Sequence, residues 1–201
     1  MADVILLRHG QSQWNLENRF TGWVDVPLSE GGIGEAKAAG EKLAGRRIDA
    51  LFTSVLQRAI DTATLALEVA ALPDVPTTRD AALNERMYGD LQGRNKDEAR
   101  REFGEDQVHL WRRSYDVRPP GGESLEDTAA RVIAYWERAI LPEIRAGRNV
   151  LITAHGNSLR ALAMHLESLT REQVVTLEIP TGVPILYELS PEAVLIRKSL
   201  L

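Results

Sequence analysis

The sequence predicts an α/β fold, a mostly parallel central sheet flanked by helices on both faces. Three observations carry that expectation. Short apolar runs alternate with helical patterns along the chain, which is how strands and crossover helices build a parallel sheet. The runs within 4–7 and 149–154 lack polar alternation, as strands covered on both faces do. No linker, internal repeat or low-complexity tract interrupts the 201 residues. With one domain per roughly 150 residues, a single catalytic-size domain over 1–201 is expected.

The elements follow in order. Residues 4–7 read as a buried strand ended by Arg8. A polar stretch then runs to Pro27 with Trp14, Phe20 and Trp23 spread through it, and so long a loop is usually functional. Ser29 caps a helix reaching about Leu43. Gly31, Gly32 and Gly34 in its first turns miss the G-x-G-x-x-G spacing, so they read as structural. A second strand falls at 48–53, a helix at 56–71 and a short strand at 75–79. Residues 81–118 are charged and irregular, with room for one or two helices, until Pro119-Pro120-Gly121-Gly122 breaks the chain. Ser124 and Asp127 form a capping-box signal for a helix through about Ile144. A strand at 149–154, a helix at 158–166 and strands at 184–189 and 194–197 complete the chain.

Composition narrows the class without naming a chemistry. Hydrophobic residues are 44% and charged residues 26%, the balance of an ordinary globular protein. The absence of Cys excludes disulfides, thiolate metal sites and a Cys nucleophile. A net charge of -5 argues against a nucleic-acid partner. No apolar run approaches the roughly 20 residues of a membrane span, and the first is too short for a signal-peptide core. The expected location is cytoplasmic, with no membrane partner.

Chemistry enters at the strand ends, where open α/β sheets bind their ligands. Two strands finish in nearly the same word, Leu7-Arg8-His9-Gly10 and Ala154-His155-Gly156-Asn157. A neutral imidazole is a competent nucleophile toward an anionic phosphorus. Arg8 adjoins His9, and Arg58 lies just beyond the second strand; arginine forks match phosphate oxygens in pairs. Phosphoryl transfer needs mainly such positioning and charge cancellation.

Those words, together with Ser12, Asn15 and Leu83-Asn84-Glu85-Arg86, resemble the histidine phosphatase superfamily. Further stretches are similar to its 2,3-bisphosphoglycerate-dependent phosphoglycerate mutases. They are Asn18-Arg19-Phe20-Thr21-Gly22-Trp23, the segment from Tyr88 to Lys96, Trp111-Arg112-Arg113 and Ile179-Pro180-Thr181-Gly182-Val183-Pro184. The resemblance covers almost the whole chain in order. It implies interconversion of 2-phosphoglycerate and 3-phosphoglycerate in glycolysis and gluconeogenesis, primed by 2,3-bisphosphoglycerate. His9 would be the nucleophile, with His155, Arg8 and Arg58 holding the phosphoryl group and Glu85 exchanging the proton. Tyr88, Lys96, Arg112 and Arg113 would take the distal end of a small phosphorylated acid. Ser12, Asn15, Thr21, Gly22, Gly156 and Asn157 would add neutral donors. The runner-up is a histidine phosphatase acting on a small phosphomonoester.

The chain departs from this pattern at Gln11, where Glu is frequent, at Met87, where several mutases have His, and in its abrupt passage from Arg118 to Glu123. It also ends just after its last strand, where many relatives carry a tail over the site. A homo-oligomer, dimer or higher, is left open. His109 and His165 have no partner at metal-ligand spacing, so no metal is expected. Trp14, Trp23, Trp111 and Trp136 read as core or loop anchors, the first two placed to shield the site from water.

Overall fold

The computed structural model describes residues 1–201. Strand β1 (Ala2–Arg8) leads into the long polar loop, which carries a single helical turn, α1 (Gln13–Leu16). Ser12 caps that turn and Ser29 caps α2 (Glu30–Leu43), each hydroxyl accepting from a backbone N–H that no helical carbonyl can reach. Then come β2 (Ala50–Thr53), α3 (Gln57–Val69) and the short β3 (Thr77–Arg79). The charged section holds two 3₁₀ turns, Ala81–Leu83 and Gly89–Leu91, before α4 (Lys96–Phe103) and α5 (Glu105–Arg113).

The capping box at Ser124 forms as expected and starts α6 (Leu125–Tyr135). The long helix expected from there is not continuous. A π turn at Trp136–Ile140 joins α6 to α7 (Leu141–Arg145), just before Pro142. Proline lacks the N–H that would continue the ladder, and the wider turn absorbs the break. Strand β4 (Val150–Ala154) follows, then α8 (Gly156–Glu167), α9 (Arg171–Thr176), β5 (Ile185–Leu189) and β6 (Leu195–Leu200).

The six strands form one sheet in the order β3-β2-β4-β1-β5-β6. The first four are mutually parallel, and β5 and β6 are antiparallel, so the sheet is mostly parallel as expected. Alternate residues divide its faces. Val4, Leu6, Phe52, Val150 and Ile152 pack with Val132, Trp136, Ile140 and Leu159 on one side. Ile5, Leu7, Leu51 and Leu151 pack with Leu43, Ala63 and Leu67 of α2 and α3 on the other. Burial on both faces explains why the strands read as unbroken apolar runs. A third, smaller cluster of Phe20, Leu91, Ala99, Val108 and Trp111 holds α4 and α5 above the sheet's edge as a separate cap. No helix is long and apolar enough to cross a membrane.

Candidate active site

Because β1 and β4 are adjacent and parallel, with Arg8 opposite Ala154, their similar endings come together in space. The His9 N–H donates to the carbonyl of Ala154 at 3.0 Å, and the two imidazole rings lie 5.0 Å apart between centroids. Both histidines are buried, His155 completely. Burial drives both pKa values well below the ordinary histidine range, and the nearby Arg58 charge adds to the effect. Both rings are therefore neutral near pH 7.

The tautomer of His9 follows from one contact. Its Nδ1 lies 2.7 Å from the carbonyl oxygen of Gly10, and a carbonyl can only accept. Nδ1 thus carries the hydrogen, and the lone pair is on Nε2. His155 has its Nε2 2.7 Å from the Ser54 hydroxyl, at the end of β2, and its buried Nδ1 has no partner in the protein. Gly10 is required here by close approach: a Cβ would fall 2.2 Å from the Gly32 carbonyl oxygen. Gly32 faces the same restriction against the backbone of Gln11, which accounts for one of the glycines that open α2.

Two arginines flank the histidines. Arg58, in the first turn of α3, is 1% exposed and has no carboxylate bound to it. Its guanidinium donates to the carbonyls of Gly22 and Val24 at 2.7 and 2.9 Å. Burial lowers its pKa to about 10, so it stays cationic at neutral pH. Arg8 donates to the Ile179 carbonyl at 2.8 Å, while its buried Nε has no partner in the protein. Gly22 adopts φ 56°, in the left-handed region, and a Cβ there would meet Gln92 at 2.1 Å.

Glu85 faces this group from the irregular section. Its Oε1 accepts from the backbone N–H of Arg86 at 2.7 Å and from that of Asn157, at the start of α8, at 3.1 Å. Its carbonyl accepts from the Trp23 indole at 2.6 Å and from Arg131 at 2.8 Å. Trp23 therefore anchors the loop that carries the carboxylate.

One pocket gathers nearly all of the expected residues: Arg8, His9, Asn15, Thr21, Gly22, Arg58, Glu85, Tyr88, Lys96, Arg112, Arg113, Gly156 and Asn157 line it. Lys96 starts α4 and Arg112 and Arg113 end α5, so the cap supplies one cationic group and the strand ends supply another. Burial lowers the pKa of Lys96, with the Arg112 charge adding to it. Two expected residues lie outside the lining. His155 sits directly behind it, and Ser12 is buried with its hydroxyl accepting from the Asn15 N–H. The Ser12 N–H in turn donates to Asn15 Oδ1 at 3.0 Å, which orients that side chain. The lining adds Arg19, Phe20, Arg160 and Glu178, which sequence reasoning did not select. Arg19 and Phe20 belong to the Asn18–Trp23 stretch; Arg160 follows Asn157 at helical spacing, the one signal that places it on the same face.

No group of three or more His, Cys, Asp or Glu is placed to hold a metal ion. The donor set instead suits an anion with acid groups at both ends. Arg8 and Arg58 carry forks that suit phosphate oxygens, and the buried Nε of Arg8 and Nδ1 of His155 have no partner in the protein.

A buried strand-end histidine with its lone pair on Nε2, a second histidine behind it and two arginines beside them are residue types suited to phosphoryl transfer, and the chain belongs to the histidine phosphatase superfamily (branch 1), whose family model matches residues 4–196. Among its relatives is a 2,3-bisphosphoglycerate-dependent phosphoglycerate mutase of Chelativorans sp. (strain BNC1), 58% identical over 98% of this chain and 97% of that one. The enzyme of the same name from Methylobacterium sp. (strain 4-46) is also 58% identical, over 98% and 96%. Similar solved structures include a mycobacterial glucosyl-3-phosphoglycerate phosphatase in complex with VO3. It is 28% identical, with a TM-score of 0.84 over 100% of this chain and 97% of that chain. Another is Bacillus stearothermophilus YhfR, 26% identical, with a TM-score of 0.85 over 98% and 95%.

Proposed function

We infer that this chain interconverts 2-phosphoglycerate and 3-phosphoglycerate, as an isomerase of glycolysis and gluconeogenesis that works through phosphohistidine at His9. The observation that carries the reading is the pairing of His9, its Nδ1 tied to Gly10, with Arg8 and Arg58 and with a second cationic group from the cap in the same pocket. The names of relatives at 58% identity support it. We assign one domain, residues 1–201, to this activity, in the cytoplasm and without a nucleic-acid or membrane partner.

When bound, 2,3-bisphosphoglycerate supplies the phosphoryl group that first charges His9. His9 Nε2 attacks the phosphorus, and the bond from phosphorus to the carbon-borne oxygen breaks. Glu85, protonated, gives its hydrogen to that departing oxygen. Arg8 and Arg58 neutralise the equatorial oxygens as charge spreads over them. His155, with its Nε2 2.7 Å from the Ser54 hydroxyl and its buried Nδ1 without a partner in the protein, backs the same oxygens from behind the pocket wall.

The return step reverses the roles. Glu85, now a carboxylate, takes the proton from a hydroxyl of the bound monophosphate as His9 gives up its phosphoryl group. Lys96, Arg112 and Arg113 hold the acid group that is not reacting. Asn15, Thr21, Gly22, Gly156 and Asn157 add neutral donors at the reacting end, and Tyr88 borders the distal one. Turning the doubly phosphorylated molecule end for end within this pocket lets His9 take back the other phosphoryl group.

One solved neighbour, 28% identical, is a glucosyl-3-phosphoglycerate phosphatase, and a plain phosphomonoesterase is the second reading. It has no use for Lys96, Arg112 and Arg113 together, and this favours the mutase. The direct experiment mixes the protein with 2,3-bisphosphoglycerate and measures its mass. An acid-labile phosphoryl adduct should appear on the parent and not on His9→Ala. No adduct on the parent would overturn the reading.

A further inference from the structure

The pocket is lined by only two carboxylates, Glu85 and Glu178. Glu85 is held by two backbone N–H groups and has a part in the chemistry, but Glu178 has none. Its Oε1 lies 3.0 Å from Arg113, at the end of α5, and its Oε2 lies 3.6 Å from Arg160, in α8. The Glu178 side chain is 68% exposed, against 10% for Arg160. Its backbone is fixed on both sides: the Leu177 carbonyl accepts from Arg160 Nε at 2.7 Å and the Ile179 carbonyl from Arg8 at 2.8 Å. A carboxylate with an anchored base and a free end thus bridges two cations from separate elements.

We propose that Glu178 is a specificity-determining residue, an internal anion that occupies Arg113 and Arg160 until the distal acid group of the ligand replaces it. The proposal rests on the mutase reading, because only a two-ended anion reaches both cation groups. A ligand with one phosphoryl group and a neutral tail engages Arg8 and Arg58 and leaves the bridge closed. A ligand with a second acid group gains Arg113 and Arg160 but must first displace Glu178. The bridge therefore moderates the grip on two-ended ligands and leaves one-ended ligands unaffected. Arg160 becomes a distal anion contact through the same exchange.

The test compares 3-phosphoglycerate with glycerol 3-phosphate, which keeps the phosphate and replaces the carboxylate by an alcohol. Dissociation constants are measured by calorimetry on the full-length parent and on Glu178→Gln and Glu178→Ala, with circular dichroism confirming the fold. A partly exposed ion pair corresponds to about a two- to fivefold effect. Both variants should bind 3-phosphoglycerate tighter by that factor, with glycerol 3-phosphate unchanged. No change with 3-phosphoglycerate overturns the proposal. So does an equal gain for both ligands, which would mean a general field effect of one lost negative charge. A parent that neither isomerises 3-phosphoglycerate nor prefers it to glycerol 3-phosphate would instead overturn the mutase reading.

Discussion

The Nδ1 of His9 is hydrogen-bonded to the carbonyl oxygen of Gly10, its immediate chain neighbour, at 2.7 Å. This short bond decides which ring nitrogen reacts. The phosphoryl group should be found on Nε2, which nuclear magnetic resonance of the phosphorylated protein distinguishes from Nδ1 by nitrogen–phosphorus coupling. A phosphoryl group on Nδ1 would contradict the assignment.

Burial first, then the Arg58 and Arg8 charges, hold the His9 pKa well below 6.5. Protonation removes the nucleophile, so a lowered pKa moves the acid limb of kcat/KM to lower pH. The limb that belongs to His9 should lie below the ordinary histidine range. Arg58→Gln removes a cation that disfavours imidazolium, so its acid limb should move up in pH. Because the substrate phosphate itself titrates near pH 6, about its second pKa, the diagnostic is the difference between parent and variant. The variant should also lose on the order of 10²–10³ in kcat, as when an oxyanion donor is removed. An unshifted limb would mean that Arg58 does not tune His9.

Glu85→Gln keeps the shape of the side chain and removes its capacity to give or take a proton. The expected loss in kcat is on the order of 10²–10⁴, the usual contribution of a general acid or base. Calorimetric binding of 3-phosphoglycerate should persist. A variant with near-parental kcat would show that another group carries the proton.

Away from the site, Asp127 accepts from the Ser124 N–H, the Ser124 hydroxyl and the Arg118 guanidinium. The Arg118 bond is the largest cause that lowers its pKa from 3.8 to about 2. Asp127→Ala should cost about 1 kcal/mol in urea unfolding at pH 7, the typical value for a lost cap. A depressed carboxylate stabilises fully above its unfolded value and stops doing so as pH falls through the folded one. The gap between parent and variant should therefore persist at pH 5 and close as pH drops from 3.8 toward about 2. A gap independent of pH would exclude the ionised cap as its source.

The reacting end of the site was legible because its signals are local. The repeated Arg-His-Gly and Ala-His-Gly words sit at the ends of apolar runs, and β1 and β4 happen to be neighbours in the sheet. Strands covered on both faces and capped helices left similarly local marks. What stayed hidden depends on long-range contact. Arg160 reads as one polar residue on a mostly apolar helix, and Glu178 as an exposed loop carboxylate, until the sheet brings α5 and α8 to one pocket mouth. The Ser12 hydroxyl serves the one-turn helix beside it, a role that shows only once that turn is placed. The π turn leaves no local mark, because the helical pattern expected through about Ile144 runs on across Pro142.

The central claim is that His9 passes its phosphoryl group to a second acid-bearing hydroxyl and not to water. It is tested by following isomer and free phosphate together, starting from 3-phosphoglycerate, with and without trace 2,3-bisphosphoglycerate. The expected result is a strong rise in 2-phosphoglycerate on adding the bisphosphate, with little phosphate released. Rapid phosphate release with negligible 2-phosphoglycerate would contradict it.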